Sequence, residues 1–252
     1  MSLPCPFSGR TDRQDFRILT YNVHSCVGTD RRVDPHRIAE VIAHSNADII
    51  ALQELDVGRQ RTGGVDQAEV IASLLKMESH FHPALHFAEE RYGDAILTAM
   101  PMRLVRAGPL PSIGETRGAI WVQVKVGARI VNVVNTHLGL RSVDRSRQVA
   151  ALLGEDWIGN AEFRGSPAVV CGDLNAFPSS PAYKRLAQRF RDAQLVMAQK
   201  PKPTFPSRLP LFRIDHVFVS EDLCVTSTTI PFDQTTRRAS DHLPLCVDLS
   251  LE

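Results

Sequence analysis

Ala168-Val-Val-Cys-Gly-Asp-Leu-Asn-Ala-Phe-Pro-Ser-Ser-Pro-Ala182 is the stretch from which the rest of the chain is read. The apolar run Ala168 to Cys171 predicts a short buried strand that stops at Gly172. Asp173 and Asn175 follow where the chain turns. Strand side chains alternate faces, so these two point the same way and Leu174 turns back into the protein. Ser180 is placed to cap a helix opened by Pro181, with Tyr183, Leu186 and Phe190 on one apolar stripe. Two polar side chains at the C-terminal edge of a strand suit a place where an anion or a metal is held. Alone, Gly-Asp-Leu-Asn reads first as a turn in which Asp and Asn bond the local backbone.

Other strand ends decide between these readings. Upstream, Phe16 to Asn22 alternates as a strand, and Asp34 caps a helix opened by Pro35 with Ile38, Val41 and Ile42 inward. A strand Ile49 to Leu52 delivers Gln53 and Glu54 at its end, and the spacing of Ile71, Leu74 and Leu75 predicts a helix from Gly64 to Lys76. Consecutive strands are then predicted at 79–88, Gly93 to Ala99, 103–110, Ala119 to Val126 and Arg129 to His137. Ile120, Val122, Val124 and Val126 alternate with Trp121, Gln123 and Lys125, and Val126-Gly-Ala-Arg129 reads as a hairpin turn. A helix from about Val143 to Trp157 leads back to the opening stretch. Beyond it lie a Pro-rich loop at 200–210 and strands at Ile214 to Ser220, 223–230 and Pro244 to Leu251. A dozen strands with about four helices exceed one open sheet, which favours two packed sheets with helices outside.

The 252 residues, 43% hydrophobic and 23% charged, fit a globular protein with a sizeable core. Residues 1–14 are polar and patternless, a disordered tail before a single domain at 15–252. No apolar run approaches a membrane span and the N-terminus lacks a signal-peptide pattern, so a cytoplasmic protein is expected. Cys5, Cys26, Cys171, Cys224 and Cys246 are odd in number without close pairing, and reduced, packing thiols are expected. The net charge of +1 does not identify an anionic partner.

Collected, the polar residues at predicted strand ends are Asn22, Glu54, His137, Asp173, Asn175, Asp215, Asp241 and His242. Glu54 and Asp241 are hard oxygen ligands for a magnesium-like ion, and Asn22 can add a neutral oxygen. His137 and His242 exchange protons near neutral pH, and Asp215 can orient His242. His24, His36, His44, His80, His82 and His86 are scattered, with His24 best placed for substrate. Arginines 59, 61, 141, 145, 208, 213, 237 and 238 fall in loops near these ends, where they can grip phosphate or form a solvated rim. Arg117, at the start of the best strand, can face the cleft, and Glu89 or Glu90 can orient His137.

Thr20-Tyr-Asn22, Leu52-Gln-Glu54, Tyr92-Gly-Asp-Ala-Ile-Leu97, Asn135-Thr-His137, Gly172-Asp-Leu-Asn175, Ile214-Asp215 and Ser240-Asp-His242, in this order, resemble the endonuclease/exonuclease/phosphatase superfamily. That superfamily includes pancreatic deoxyribonuclease, apurinic endonucleases, neutral sphingomyelinases and inositol polyphosphate phosphatases. The resemblance spans about residues 16–250 and implies a four-layer α/β (α+β) sandwich of two mixed sheets flanked by helices, with the site at one rim. It implies Glu54 as the principal metal ligand, with Asn22 and Asp241 beside it. Asp173 and Asn175 would orient the attacking water and the phosphate, His242 with Asp215 would do acid/base or phosphate-stabilising work, and His137 would be a second catalytic imidazole. His137 makes the site more similar to the deoxyribonuclease and sphingomyelinase branches than to the apurinic one. Position 24, a carboxylate in some members, is His24 here, which bears on any second metal.

The expectation is a monomeric, Mg²⁺-dependent phosphoesterase, with Mn²⁺ able to substitute, that uses in-line attack of water and no covalent intermediate. Arg117, Arg141 and Arg213 are candidate substrate contacts. A nuclease on DNA or RNA uses the same chemistry, and an inactive binding module would have no need of both histidines and both carboxylates. Near-neutral charge, 6% aromatic residues and arginines confined to short loops favour a compact lipid-linked or small phosphoester over nucleic acid.

Overall fold

Alternating apolar side chains that serve two different cores build the molecule. In the computed structural model, which describes residues 14–87, 89–197 and 200–251, twelve strands form two six-stranded mixed sheets. The first sheet contains β1 (Asp15–Asn22), β2 (Ile49–Val57), β3 (Glu78–Phe87), β4 (Glu90–Thr98), β11 (Leu223–Thr229) and β12 (Leu245–Leu251), ordered β11-β12-β1-β2-β4-β3. The second contains β5 (Met102–Leu110), β6 (Arg117–Val126), β7 (Arg129–Thr136), β8 (Ala168–Asp173), β9 (Arg191–Asp192) and β10 (Asp215–Val219), ordered β5-β6-β7-β8-β10-β9. Each sheet has one parallel pair at its centre, β1 with β2 and β7 with β8. Helices α1 (Pro35–Ser45) and α3 (Ser142–Leu152) make the two crossovers that parallel strands require. The remaining helices are α2 (Gln67–Leu75), α4 (Pro181–Ala187), α5 (Ala193–Val196) and α6 (Gln234–Ala239).

Neighbouring residues divide between the layers. Ile18, Ile49, Val122, Val133, Val169 and Val217 meet in the core between the sheets. Leu19, Ile50 and Leu52 turn to the outer face, where Ile38 and Ile42 of α1 and Ile71 of α2 cover them. On the other side Trp121, Val134 and Val170 pack under Val149 and Leu152 of α3 and Tyr183 and Leu186 of α4. The order is therefore helix, sheet, sheet, helix. Each of these buried aliphatic side chains contributes roughly 1.5–3 kcal/mol of burial energy.

The expected caps form: Asp34 Oδ1 accepts from the Arg37 amide and Ser180 Oγ from that of Tyr183. Gly127 turns the β6–β7 hairpin at φ +56°. Several expectations need correction. Strand β2 does not end at Leu52; a bulge between Leu52 and Leu55 puts Glu54 at φ +63° and aims its side chain at the rim within a continuous strand. The third helix ends at Leu152, although Trp157 still packs into its cluster. The second begins at Gln67, where Asp66 caps the Glu69 amide, leaving Gly64 outside it at φ +71°. Elements β9, α5 and α6 were not visible in the pattern. Cys224 is disulfide-bonded, which corrects the expectation of five reduced thiols; Cys26, Cys171 and Cys246 are free and buried. Cys5 and residues 1–13 of the expected tail lie outside the described residues, while Gln14 accepts the Leu251 amide. No described helix is long and apolar enough to cross a membrane.

A buried polar link fixes one sheet against the other beneath the rim. Gln53 Nε2 donates to Asn135 Oδ1 at 2.7 Å, and Asn135 Nδ2 donates to the carbonyls of Leu52 and Ala95 at 2.9 Å. All lie inside the molecule, where an unmade hydrogen bond is expensive, so the sheets have one favoured relative placement.

Candidate active site

At the end of β8, Gly172 brings two strands so close that a Cβ there would stand 1.8 Å from the Thr136 carbonyl, at φ +140°. Only glycine fits. The consequence is that Asp173 and His137, from parallel neighbours of the second sheet, emerge side by side. His137 Nε2 is 3.4 Å from Asp173 Oδ2 and 3.0 Å from Asn175 Nδ2. Asn175 is locked at φ +46°, its amide accepted by Asp173 Oδ1 and its Nδ2 donating to the Leu138 carbonyl.

From the first sheet comes Asn22, whose Nδ2 donates to Asp173 Oδ2 at 3.0 Å and to Glu54 Oε1 at 2.9 Å. Its oxygen accepts the His24 amide. As placed, Asn22 bridges two carboxylates as a donor, and its expected oxygen-ligand role would draw on the oxygen that here accepts the His24 amide. Ser240 Oγ donates to the Asn22 carbonyl and accepts the His242 amide, which brings the last loop into the cluster. His242 Nδ1 then meets Asp215 Oδ2 at 2.9 Å, and its Nε2 faces Asp173 Oδ2 at 3.7 Å. Asp241 is more open, 3.8 Å from the His24 ring.

The two imidazoles differ in charge, His137 neutral and His242 a cation. His137 is buried, and burial first, then the Arg117 and His242 cations, push its pKa well below the ordinary value. Arg117 Nη1 lies 3.0 Å from His137 Nδ1, while Asn175 Nδ2 and Asp173 Oδ2 flank Nε2. For His242 burial also opposes the charge, but Asp215, Asp173 and Asp241 overcome it and hold the ring up at about 10. Asp173 is pushed up to about 7 by burial and then by Asp215.

Other expected residues divide. Arg117 is buried against His137 and pairs with Glu115 at 3.4 Å. Its strand is aimed by Asp144 of α3, which accepts the amides of Ile113 and Gly114. Arg213, a candidate substrate contact, is instead paired with Asp192 and covers the Tyr183 ring, away from the cluster. Arg141 is exposed before α3, and among the described residues no bond joins it to the cluster. Neither Glu89 nor Glu90 orients His137: Glu90 accepts from Gln60 and pairs with Arg59, and Glu89 is exposed in a turn. His36, His44 and His86 are exposed.

Sequence reasoning missed three residues. Asp94 is buried and pushed up to about 7 by burial, against the opposing Arg117 charge and the Glu54 amide. It lay within a quoted motif, Tyr92 to Leu97, and a carboxylate inside an apolar strand was the signal. Thr204 donates to Asp215 Oδ2 and the Phe205 ring packs 4.7 Å from His242, both from a Pro-rich loop without periodicity.

Residues 19–242 match the Endonuclease/Exonuclease/phosphatase family. The uncharacterized protein YbhP of Escherichia coli K12 is 26% identical over 96% of this chain and 99% of its own. An endonuclease/exonuclease/phosphatase from Beutenbergia cavernae superimposes with a TM-score of 0.76 at 24% identity, over 94% of this chain and 72% of that one. A mannosyl-6-phosphatase from Bacteroides thetaiotaomicron does so with 0.75 at 19% identity, over 93% and 99%. At those identities the superpositions speak for the fold, while the match over nearly the whole described domain settles kinship: the chain belongs to the endonuclease/exonuclease/phosphatase family.

Proposed function

We propose that this chain is a divalent-metal-dependent phosphoesterase that cleaves a compact phosphoester by in-line attack of water. The observation behind this reading is the placement of one carboxylate, Asp173, among His137, Asn22 and His242, with Asp215 behind His242. The donor set fits a divalent cation. Asp215 Oδ1 is buried without a partner, and burial pushes both Asp173 and Asp94 up to about 7, so the cluster is short of positive charge. Asp173, Asp215 and His242 lie within 4.8 Å of one another, but His242 as a cation already serves the two carboxylates. Glu54 and Asp241, the more open carboxylates, are the better ligands for Mg²⁺ or Mn²⁺. Such an ion would neutralise charge developing on the phosphoryl and leaving oxygens.

The residues themselves do the rest. Asp173, ionised, accepts a proton from water and orients it, with Asn175 fixed beside it. His137 stands beside Asp173 as a neutral imidazole for proton transfer, and His242 presents a positive charge where negative charge builds on phosphate. The test is a panel of phosphomonoesters, phosphodiesters, phospholipids and nucleic acids, assayed with Mg²⁺ and Mn²⁺ and with excess chelator. Metal-dependent release of phosphate or alcohol is expected. Turnover unaffected by chelator contradicts the reading, and nicking of plasmid DNA at physiological salt would make the nuclease alternative the better one.

A further inference from the structure

Beside Glu54 opens a cleft of about 380 Å³, within the size range of small-molecule sites. Its walls include Ser25, Arg59, Arg61, Tyr92 and Glu115. Two arginines next to a phosphoryl site suggest a place for a second phosphate, but their partners argue otherwise. Arg61 makes a two-pronged bond to Asp56, Nε and Nη2 each at 2.8 Å, and Asp56 has no exposed side-chain surface. Releasing Arg61 to a phosphate would strand a buried carboxylate, which is strongly unfavourable. Arg59 lies between Asp56 and Glu90, at 3.7 and 3.5 Å, and Arg117 is matched by Glu115. Every guanidinium beside the cleft thus already has a carboxylate partner, and that of Arg117, Glu115, is itself half exposed. A second phosphate would meet no guanidinium without a carboxylate partner, and would come up against the exposed Glu115 oxygens.

Hydroxyl groups meet a better fit. A guanidinium held by a carboxylate keeps outward N–H donors, and the Arg61 side chain is half exposed. Arg61 Nη2 already donates to the Ser25 hydroxyl at 3.0 Å, so the wall is arranged for that pairing. Glu115 accepts where Arg61 and Arg59 donate, which suits a group carrying several hydroxyls. Resting on the phosphoesterase reading above, we propose that this cleft receives a neutral, hydroxyl-rich group bearing one phosphate, that is, a sugar or other polyol phosphoester.

The test uses the full chain with Mg²⁺ and four probes: a hexose 6-phosphate, glycerol 1-phosphate, a hexose 1,6-bisphosphate and p-nitrophenyl phosphate. The expected order places the hexose and glycerol monoesters about tenfold or more above the bisphosphate and the aryl ester in kcat/KM. Glu115→Gln, which leaves the Asp56 pairing intact, and Arg61→Lys, which keeps the charge, should each raise KM for the hexose ester about tenfold more than for the aryl ester. A bisphosphate that equals or exceeds the monoester, or variants that shift both KM values alike, overturns the proposal. Failure to hydrolyse any of the four, or any diester, phospholipid or nucleic acid of the panel above, would instead remove the phosphoesterase reading. The cleft is then judged by calorimetry, where tighter binding of the bisphosphate than of the monoester refutes it and the reverse supports it.

Discussion

The Nδ1 of His242 and the Oδ2 of Asp215 stand 2.9 Å apart, and that bond decides the charge of the ring. Burial alone would make the imidazole neutral; the carboxylates of Asp215, Asp173 and Asp241 reverse this and hold it at about 10. Asp215→Asn should therefore return the His242 pKa towards the ordinary imidazole range and lower kcat on the order of 10²-fold, as His242→Ala would. Titration of the ring by NMR, together with steady-state rates, checks both. An unmoved ring pKa in Asp215→Asn would contradict the assignment.

The dependence of rate on pH follows from two raised values. Asp173, up at about 7, is protonated below that pH and cannot accept a proton from water, so activity should climb as pH rises through about 7. The positive charge of His242 is lost as pH rises through about 10, so activity should fall there. A plateau between these limits is expected in kcat/KM, and Asp215→Asn should bring the alkaline limb down and, because it removes a negative charge that helps raise Asp173, shift the acid limb to lower pH as well. A profile rising through the ordinary carboxylate range would mean that another base is used.

Metal dependence should centre on Glu54, which a bulge turns to the rim and Asn22 holds at 2.9 Å. Glu54→Gln keeps the size and removes the charge, so metal affinity and turnover should fall by several orders of magnitude with thermal stability nearly unchanged. Calorimetric titration of Mg²⁺ and Mn²⁺ into both proteins reads the affinity directly. Equal affinities would shift the ligand role to other carboxylates of the cluster.

Much of this architecture was readable because it is built from local signals. The alternation of Ile120 to Val126, the Asp34-Pro35 and Ser180-Pro181 helix starts and the Gly172-Asp173-Leu174-Asn175 turn each express their geometry within a few residues. What escaped depends on distant partners. Nothing near Arg213 tells that Asp192, on β9, takes its charge, and nothing near Asn22 tells that its amide faces two carboxylates. The bulge at Glu54 arises from pairing with β4, so the strand seemed to end at Leu52 when it runs on to Val57. His137 illustrates a third kind of limit: its type was legible, but its neutral state comes from burial and from Arg117, which approaches from a neighbouring strand.

The link between the sheets should matter to activity without touching substrate. Asn135 makes three buried hydrogen bonds, to Gln53, Leu52 and Ala95; Asn135→Ala would take a donor from the Leu52 and Ala95 carbonyls, while Gln53 Nε2 keeps Thr20 Oγ1 and the Ala51 carbonyl as acceptors. A loss of roughly 1–3 kcal/mol per unsatisfied group is expected, partly recovered by relaxation or water. Because Asn22 and Glu54 are on one sheet and His137 and Asp173 on the other, kcat should fall as well. Chemical denaturation and rate measurements on the same sample test this, and a destabilised variant with unchanged kcat would separate the link from the site.

Asp192 gives the last prediction, and it concerns stability. Burial by itself would raise its pKa, but His216, Arg213 and Tyr183 outweigh burial and bring it down from 3.8 to about 2. Tyr183 donates to Oδ2 at 2.7 Å, Arg213 pairs with the same oxygen, and His216 passes the contact on through a 2.8 Å bond to the Ala176 carbonyl, next to Asn175. A depressed folded pKa means that the stabilisation is fully present above the unfolded value near 4 and is lost as pH falls through about 2. The drop of nearly two units corresponds to about 2 kcal/mol at neutral pH. Asp192→Asn should accordingly lose on the order of 2–4 kcal/mol at pH 7, since it also leaves Arg213 half-buried without a counter-charge. The gap between variant and parent should narrow as pH is lowered from 5 to 2, where the parent carboxylate itself becomes neutral. Denaturant unfolding of both proteins across that range measures the gap, and one that stays constant would show that the charge on Asp192 contributes nothing to the fold.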